Sequence, residues 1–204
     1  MKRNKYSAGA VKFSFWFMEF RKEVQMLASG NTFDDIKRLN EEENIFGGST
    51  PARAKMIYST VTARIKSLDE SFYTLFLESD VSTQKLFALA GTLAHDTLFF
   101  DFVYEVVREK LIIGSNLLTD ADINIFFKNK QEQSEDVEKL TEATINRLRR
   151  SYKTQLFEAG LLDDNTKSSE RQIIKPVLDP VLKHWRVLDN GRFIRTPGQN
   201  GGSN

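Results

Sequence analysis

Apolar residues recur at helical spacing along most of the chain, and polar residues between them mark helix starts and stops. Three pairs have the spacing of a capping box: Thr32 with Asp35, Ser67 with Glu70, and Thr119 with Asp122. Pro51 suits a first helical position, and glycines follow the helical patterns at Gly30, Gly47, Gly48, Gly114 and Gly160. The pattern predicts helices over 14–28, 33–43, 51–67, 69–78, 82–94, 96–112, 120–131, 135–139 and 142–159.

The most apolar stretch runs from Leu86 to Ile113 and leaves little polar face on either of its helices, so it belongs in the centre of a bundle. Its aromatic residues are core and not a cofactor site. No uninterrupted apolar run approaches the ~18 residues that span a bilayer. The aromatic cluster after the basic N-terminus lacks a small-residue cleavage pattern. We therefore predict a soluble, cytoplasmic protein without a membrane contact.

The pattern changes after Gly160. Pro176 and Pro180 exclude a long helix, and Asn190-Gly191 between apolar pairs predicts a hairpin over 187–194 with a two-residue type I′ turn. The polar tail 196–204 is predicted to be disordered. The sequence thus predicts a compact all-α protein of two helical subdomains, 1–115 and 116–195, with a small C-terminal β-hairpin.

The net charge of +1 conceals a segregation along the chain. Residues 1–67 carry 12 Lys and Arg against 7 Asp and Glu, residues 68–140 carry 6 against 14, and residues 141–204 carry 11 against 7. Two basic regions therefore flank an acidic one. Such asymmetry favours a polyanionic partner, although charges that only solvate helix faces give the same totals.

Motifs of catalysis are absent from the sequence. It has no cysteine, and its two histidines, His95 and His184, stand far apart. HExxH, GxSxG, GxGxxG and a phosphate-binding GxxxxGK[ST] loop do not occur. Asp96 beside His95 invites a general-base pairing, but Asp96 as a helix cap and His95 as a satisfied interhelical residue is the favoured interpretation. We predict a non-enzymatic protein without metal or cofactor.

The helix predicted at 51–67 carries a polar stripe opposite its apolar side. Lys55, Ser59, Thr62 and Lys66 form this stripe, with Arg53 at the helix start. Small hydroxyls between basic residues suit a helix that lies against a sugar-phosphate backbone. With the helix at 33–43 it forms a helix-turn-helix-like pair, although the connection is longer than usual. A solvated helix face would show the same pattern.

The helix predicted at 142–159 is more strongly basic. Arg147, Arg149, Arg150 and Lys153 follow one another with no acidic residue between Glu142 and Glu158. Cations without carboxylates one turn away repel each other, and arginine offers a planar fork to phosphate or guanine. With Arg192 in the hairpin that follows, this arrangement has the outline of a winged helix. The sequence predicts a polyanion contact here.

Several short segments of the sequence are familiar together: Lys5-Tyr6-Ser7-Ala8-Gly9, Glu19-Phe20-Arg21-Lys22, Thr50-Pro51-Ala52-Arg53-Ala54-Lys55, the run from Leu98 to Lys110, Leu140-Thr141-Glu142-Ala143-Thr144 and Glu158-Ala159-Gly160-Leu161-Leu162. Over about residues 5–180 the chain resembles the BrxA family of BREX (bacteriophage exclusion) systems. The resemblance implies a small all-helical, NusB-like protein encoded with other defence proteins and thought to bind nucleic acid, double-stranded DNA above all. That family has also been described as an inner-membrane protein, which this sequence does not support.

Only Arg53 and Lys55 take a binding role from the resemblance; the arginine cluster at 147–153 is inferred from this chain. The leading hypothesis is a monomeric, double-stranded-DNA-binding accessory protein of phage defence. One alternative is an adaptor that docks onto other BREX proteins through the acidic 68–140 region and the aromatic N-terminal segment. Another is RNA binding in the NusB manner.

Overall fold

The predicted all-α fold is confirmed in a computed structural model. It describes residues 4–165 and 168–176 and, for the backbone alone, the strands Trp185–Val187 and Phe193–Arg195. The helices in the described residues are α1 Phe17–Ala28, α2 Phe33–Glu43, α3 Pro51–Lys66, α4 Phe72–Glu78, α5 Val81–His95, α6 Thr97–Phe102, α7 Arg108–Ile112, α8 Asp120–Gln133, α9 Glu135–Glu138 and α10 Glu142–Glu158.

Two of the three predicted capping boxes form. The Thr32 and Thr119 hydroxyls accept hydrogen bonds from the backbone amides of Asp35 and Asp122, and the two aspartate carboxylates accept hydrogen bonds from the threonine amides. The box predicted at Ser67 is wrong, because Ser67 ends α3 and donates its hydroxyl to the carbonyl of Arg64. Pro51 occupies the first turn of α3, as predicted.

Residues 4–16 form an extended stretch with one 3₁₀ turn, Gly9–Val11, which we call the N-terminal segment. Helix α1 begins three residues later than predicted, because Trp16 adopts the left-handed conformation (φ 52°). The helix predicted at 96–112 contains a π-helical turn, Val103–Val107, between α6 and α7.

One hydrophobic core runs through the described helices. Phe20, Phe72, Phe76 and Phe87 pack together in its first half, with ring centroids 5.6–6.1 Å apart. Tyr152 of α10 is the centre of the second half. Its ring stacks against three phenylalanine rings at centroid distances of 4.5–5.7 Å, those of Phe99, Phe102 and Phe127. Because Phe99 and Phe102 precede residue 115 and Phe127 follows it, the core continues across the predicted subdomain boundary. The division into 1–115 and 116–195 stays a prediction.

An ion cluster around the buried Lys130 and Asp101 ties the N-terminal segment to this core. The Nζ of Lys130 lies 3.1 Å from Asp101 and 2.6 Å from Glu105, on either side of the start of the π turn. The Tyr6 hydroxyl donates to Asp101 Oδ2 (2.5 Å), the same oxygen that the Lys130 ammonium contacts. Burial alone would lower the pKa of Lys130, but its hydrogen bonds to Glu105 and Asp101 outweigh burial and raise that pKa to about 12.

Two short antiparallel sheets complete the described fold. Strand β1, Leu117–Thr119, pairs with β2, Glu170–Gln172, a pairing that the sequence did not indicate. The predicted hairpin is present as β3, Trp185–Val187, and β4, Phe193–Arg195, with Val187 opposite Phe193. A two-residue turn at Asn190-Gly191 would instead pair Val187 with Ile194, so the register is one residue from the predicted one. The turn residues 188–192 and the tail 196–204 lie outside the described residues, and the winged helix stays a prediction.

Candidate nucleic-acid interface

Of the three basic contact residues predicted on α3, Lys55 and Lys66 are exposed and Arg53 is half-buried, and they lie on two sides of the helix. Arg53 faces the N-terminal segment: its Nη1 donates to the carbonyl oxygen of Lys12 (3.3 Å), and its guanidinium lies 4.9 Å from the Trp16 ring centroid. Lys55 and Lys66 are exposed on the side of α2, where the Lys66 ammonium lies 4.3 Å from the centre of the Phe33 ring. The structure therefore does not bring Arg53 and the two lysines onto one stripe.

The two predicted hydroxyls of α3 differ in position. Ser59 is exposed, as the interface prediction requires. Thr62 is only 6% exposed, and its hydroxyl donates to Glu23 of α1 over 2.5 Å. The prediction of Thr62 as a contact residue is therefore wrong. It fails because α1, α2 and α5 all pack against α3 and bury an arc wider than its apolar stripe.

Glu23, the partner of Thr62, is fully buried between α1 and α3. Burial raises the pKa of this carboxyl group to about 8, against the opposing influence of the Thr62 hydrogen bond and the Lys66 charge. A neutral Glu23 is thus the dominant form at neutral pH, and its Oε2 atom has no partner among the described residues. The role of this pair is structural, since neither group reaches the surface.

Helix α10 presents two of its four predicted cations freely. Arg147 and Arg150 are exposed, and among the described residues neither has a carboxylate partner. Arg149 bonds Glu142 (3.1 Å), and Lys153 bonds Asp120 of α8 (2.8 Å). The prediction of an acid-free cluster is therefore wrong for Arg149 and Lys153.

The N-terminal segment connects the Arg53 side of α3 to the Arg147 side of α10. From α10, the Ser151 hydroxyl donates to the carbonyl of Ala10 (2.5 Å), and the Gln155 amide donates to that of Phe13 (3.3 Å). From α3, Arg53 donates to the carbonyl of Lys12, between those two contacts. Arg147 precedes Ser151 by one helical turn and so projects along the same side of α10.

Lys12 is a candidate contact residue that sequence reasoning missed. Its side chain is exposed and lies on the segment that both helices contact. The residues around it follow neither helical nor strand spacing, so no periodic signal marked it. Lys12, Arg53, Arg147 and Arg150 together are called the basic surface below.

The remaining predictions for this region have mixed outcomes. Arg192 lies outside the described residues, so its predicted contact stays a prediction. The α2–α3 pair is joined by the residues 44–50 and held by the buried Asn40, whose side chain donates to the carbonyl of Ala54 (3.0 Å). This connection exceeds that of a standard helix-turn-helix, and the assignment to that motif stays a prediction.

His95 and Asp96 have the structural roles that the sequence favoured. Asp96 caps α6 by accepting the amide of Phe99, and the His95 ring nitrogen Nε2 lies 2.7 Å from the carbonyl oxygen of Ala63.

Within the described part of the chain, no three His, Asp or Glu side chains are grouped to hold a metal ion. No single described helix is long and apolar enough to cross a membrane. Helix α5 and the helical stretch 97–112 together have the length and composition of a membrane span, but the two are bent by 116° relative to each other.

Comparison with known proteins gives three matches. The family model named BrxA matches residues 4–186. A curated protein from Bacillus cereus (strain H3081.97), "BREX protein BrxA", is 38% identical over 179 residues, which cover 87% of this chain and 88% of that protein. The crystal structure of an uncharacterized protein from Magnetospirillum magneticum superposes with a TM-score of 0.68 at 18% identity, covering 88% of this chain and 91% of that one.

The structural match shows a shared fold. The other two matches extend over most of the chain, and the family model includes all the segments that carry the resemblance. The N-terminal segment, α3 and α10 all lie within the matched range. The chain belongs to the BrxA family of BREX systems.

Proposed function

We propose that this protein is a non-enzymatic accessory component of BREX phage defence that binds double-stranded DNA through its basic surface. The observation that carries the proposal is a set of cations that have no carboxylate partner among the described residues: Lys12 and Arg53 at the N-terminal segment, and Arg147 and Arg150 on α10, the helix whose Ser151 bonds that segment. Membership of the BREX family supports a role in phage defence and points to other BREX proteins as partners.

The chemistry of the basic surface favours phosphate. Neighbouring cations in this fold are neutralised by carboxylates, as Arg149 is by Glu142 and Lys153 by Asp120, whereas Arg147 and Arg150 are not. Exposed guanidinium groups without an internal partner remain available for charge-assisted, bidentate hydrogen bonds to phosphate oxygens. A duplex offers such oxygens on two strands across its grooves, so a surface built from two helices and a connecting segment suits it.

The test is a fluorescence-anisotropy titration of a labelled duplex with the unmodified protein and with Arg147→Ala/Arg150→Ala. The double variant should bind about tenfold more weakly, because each arginine loses a charge-assisted contact. A matched control is Arg38→Ala/Lys139→Ala. It removes the same charge from exposed residues that already pair with carboxylates three and four positions earlier, Asp35 and Glu135.

The control variant should bind like the unmodified protein. Equal affinities of the two double variants would contradict the proposal, because binding would then depend on net charge and not on this surface. Competition with structured RNA and single strands decides between duplex DNA and the NusB-like alternative. The proposal requires the duplex to compete best.

A second candidate, docking onto another BREX protein, is favoured by one observation in the acidic region. Ile112 and Ile113, at the end of α7, are 60% and 74% exposed, and Leu117 nearby is 39% exposed. Exposed apolar side chains close together in sequence are typical of protein contacts. An Ile112→Ser/Ile113→Ser variant should lose co-purification with BREX partners after nuclease treatment and keep its duplex affinity.

A further inference from the structure

Four side chains form a line along the helical stretch 97–112, which consists of α6, the π-helical turn and α7. They are spaced four residues apart: Phe100, Tyr104, Arg108 and Ile112. The Phe100 and Tyr104 rings stack with their centroids 5.9 Å apart, and the Arg108 guanidinium carbon lies 4.6 Å from the Tyr104 ring centroid. This line of four side chains is called the α6–α7 ridge below.

The π-helical turn keeps the ridge straight. An uninterrupted α-helix advances about 100° per residue, so Ile112 would lie about 120° around the axis from Phe100. In the π turn the Arg108 amide donates to the carbonyl oxygen of Val103, five positions earlier, and the turn therefore holds one extra residue. That residue removes about 100° of the rotation and returns Ile112 to within about 20° of Phe100. The rare turn thus has a consequence at the surface, where it aligns three helical turns of side chains.

The ridge carries aromatic and aliphatic groups into solvent. Tyr104 is 50% exposed, Ile112 is more exposed still, and Phe100 is half-buried. A helix of a soluble protein normally turns such side chains towards the core, as this stretch does with Phe99 and Phe102. Apolar side chains aligned on an exposed helix face are typical of a surface that binds another helix.

The charges beside the ridge cancel, although residues 68–140 as a whole are acidic. Every charged side chain of the π turn and α7 is paired within the chain. The ion pairs have distances of 2.5–2.8 Å and join Arg108 to Glu109, Lys110 to Asp122, and Glu105 to Lys130. A face without net charge attracts neither a polyanion nor a strongly basic protein, so its occupant is selected by apolar and aromatic contact.

The order of the four residues is self-complementary. If two copies of the ridge lie antiparallel about a twofold axis between Tyr104 and Arg108, each Tyr104 faces Arg108 of the second copy, and each Phe100 faces Ile112. Twofold symmetry forms every contact twice. The cation–π contact within the chain shows that a tyrosine ring and this guanidinium fit each other, and in the pair each guanidinium lies between two rings.

We infer that the α6–α7 ridge is the interface of a symmetric, antiparallel dimer of this chain. One helix pair is at the lower end of the sizes of specific interfaces, so the dimer should be weak and its population should depend on concentration. The leading hypothesis from the sequence was a monomer, and the inference departs from it. The ridge shares no residue with the basic surface, so the dimer does not depend on duplex binding.

Analytical ultracentrifugation of the full chain over a wide range of concentrations is the test. The unmodified protein should change from monomer to dimer mass as its concentration rises. Tyr104→Lys and Arg108→Glu should each raise the dissociation constant more than about tenfold, because symmetry introduces the unfavourable contact twice. Lys139→Glu is the matched control, since it reverses another exposed and paired charge, and it should dimerise like the unmodified protein. Melting curves check that all variants fold.

An equimolar mixture of Tyr104→Lys and Arg108→Glu tests the twofold pairing itself. In a mixed dimer the introduced lysine faces the introduced glutamate, and the other contact is the original one between Tyr104 and Arg108. The mixture should therefore dimerise more strongly than either variant alone. A parallel or shifted pairing of the helices does not bring positions 104 and 108 together and gives no such recovery.

Monomer mass at every concentration overturns the inference, as does a dimer that Tyr104→Lys and Arg108→Glu leave unchanged. A dimer that both variants weaken without recovery in the mixture also overturns it, because the twofold pairing is then wrong. If the chain stays monomeric and Tyr104→Lys abolishes co-purification with a BREX protein, the ridge binds that protein and the inference fails. The duplex affinities of the same variants, measured separately, test the proposed function independently of all these outcomes.

Discussion

Glu23 shows how one buried carboxyl group influences the behaviour of the fold. It accepts the Thr62 hydroxyl across the α1–α3 contact and has no access to solvent. The ordinary pKa of a glutamate is 4.5, and burial raises that of Glu23 to about 8. Between these values the folded protein holds a proton that the unfolded chain has released. The contribution of Glu23 to the free energy of unfolding is therefore most favourable at low pH and is lost as the pH rises toward 8.

Replacing Glu23 with glutamine should remove this pH dependence. The amide stays neutral and its oxygen can still accept from Thr62, so the free energy of unfolding of Glu23→Gln should vary less between about pH 5 and about pH 8. The slope removed is at most about 1.4 kcal/mol per pH unit. Urea denaturation at several pH values measures it, with Glu42→Gln on the exposed side of α2 as the control. Parallel pH profiles for the unmodified protein and Glu23→Gln would contradict this account.

The candidate contact residues were predictable from the sequence only where local spacing decides exposure. Arg147 and Arg150 lie opposite the apolar stripe of α10 and are exposed, as predicted. Arg149 and Lys153 lie on its flank, where their exposure depends on neighbouring groups. The acid that pairs with Lys153 is Asp120, 33 residues earlier in the chain, and spacing within α10 carries no information about it.

At the scale of elements, the sequence predicted those whose signals are local. Thr32 and Thr119 marked the starts of α2 and α8 because a capping box is complete within four residues. The β1–β2 pair was missed because Leu118 and its partner Arg171 are far apart in sequence, and three-residue strands show no alternation to recognise. The π turn was missed because it follows the same apolar spacing as the α-helix around it.

Lys130 of α8 connects its helix to α6 and to the π-helical turn through Asp101 and Glu105, so its replacement should lower the free energy of unfolding. Lys130→Met keeps the length of the side chain but leaves Asp101, 6% exposed, without its cation. Breaking a buried ion pair from one side costs about 3–5 kcal/mol, because a buried charge is left uncompensated. Urea unfolding should show this loss, whereas Lys128→Met, at an exposed position of the same helix, should change stability little. Equal stabilities of the two variants would mean that the cluster is dispensable.

At the scale of the whole molecule, the basic surface predicts how strongly salt weakens binding. If Lys12, Arg53, Arg147 and Arg150 each neutralise one phosphate, the logarithm of the association constant should fall with the logarithm of salt concentration with a slope of about −3.6. Arg150→Ala should reduce the magnitude of that slope by about one, and Lys139→Ala should not change it. Titrations across a salt series measure both values. A slope near zero would exclude binding dominated by phosphate.

The contacts of the N-terminal segment also constrain the order in which the molecule can be built. Ala10 and Phe13 bond to residues of α10 that are 141 and 142 positions away in the chain. During synthesis these residues leave the ribosome long before their partners, which emerge only after the described helices α1 to α9 have been made. Contacts of such long sequence separation form slowly, so the basic surface is completed at a late stage of folding. A nascent chain that lacks α10 therefore cannot yet present this surface, and the protein acquires it only after α10 has been synthesised.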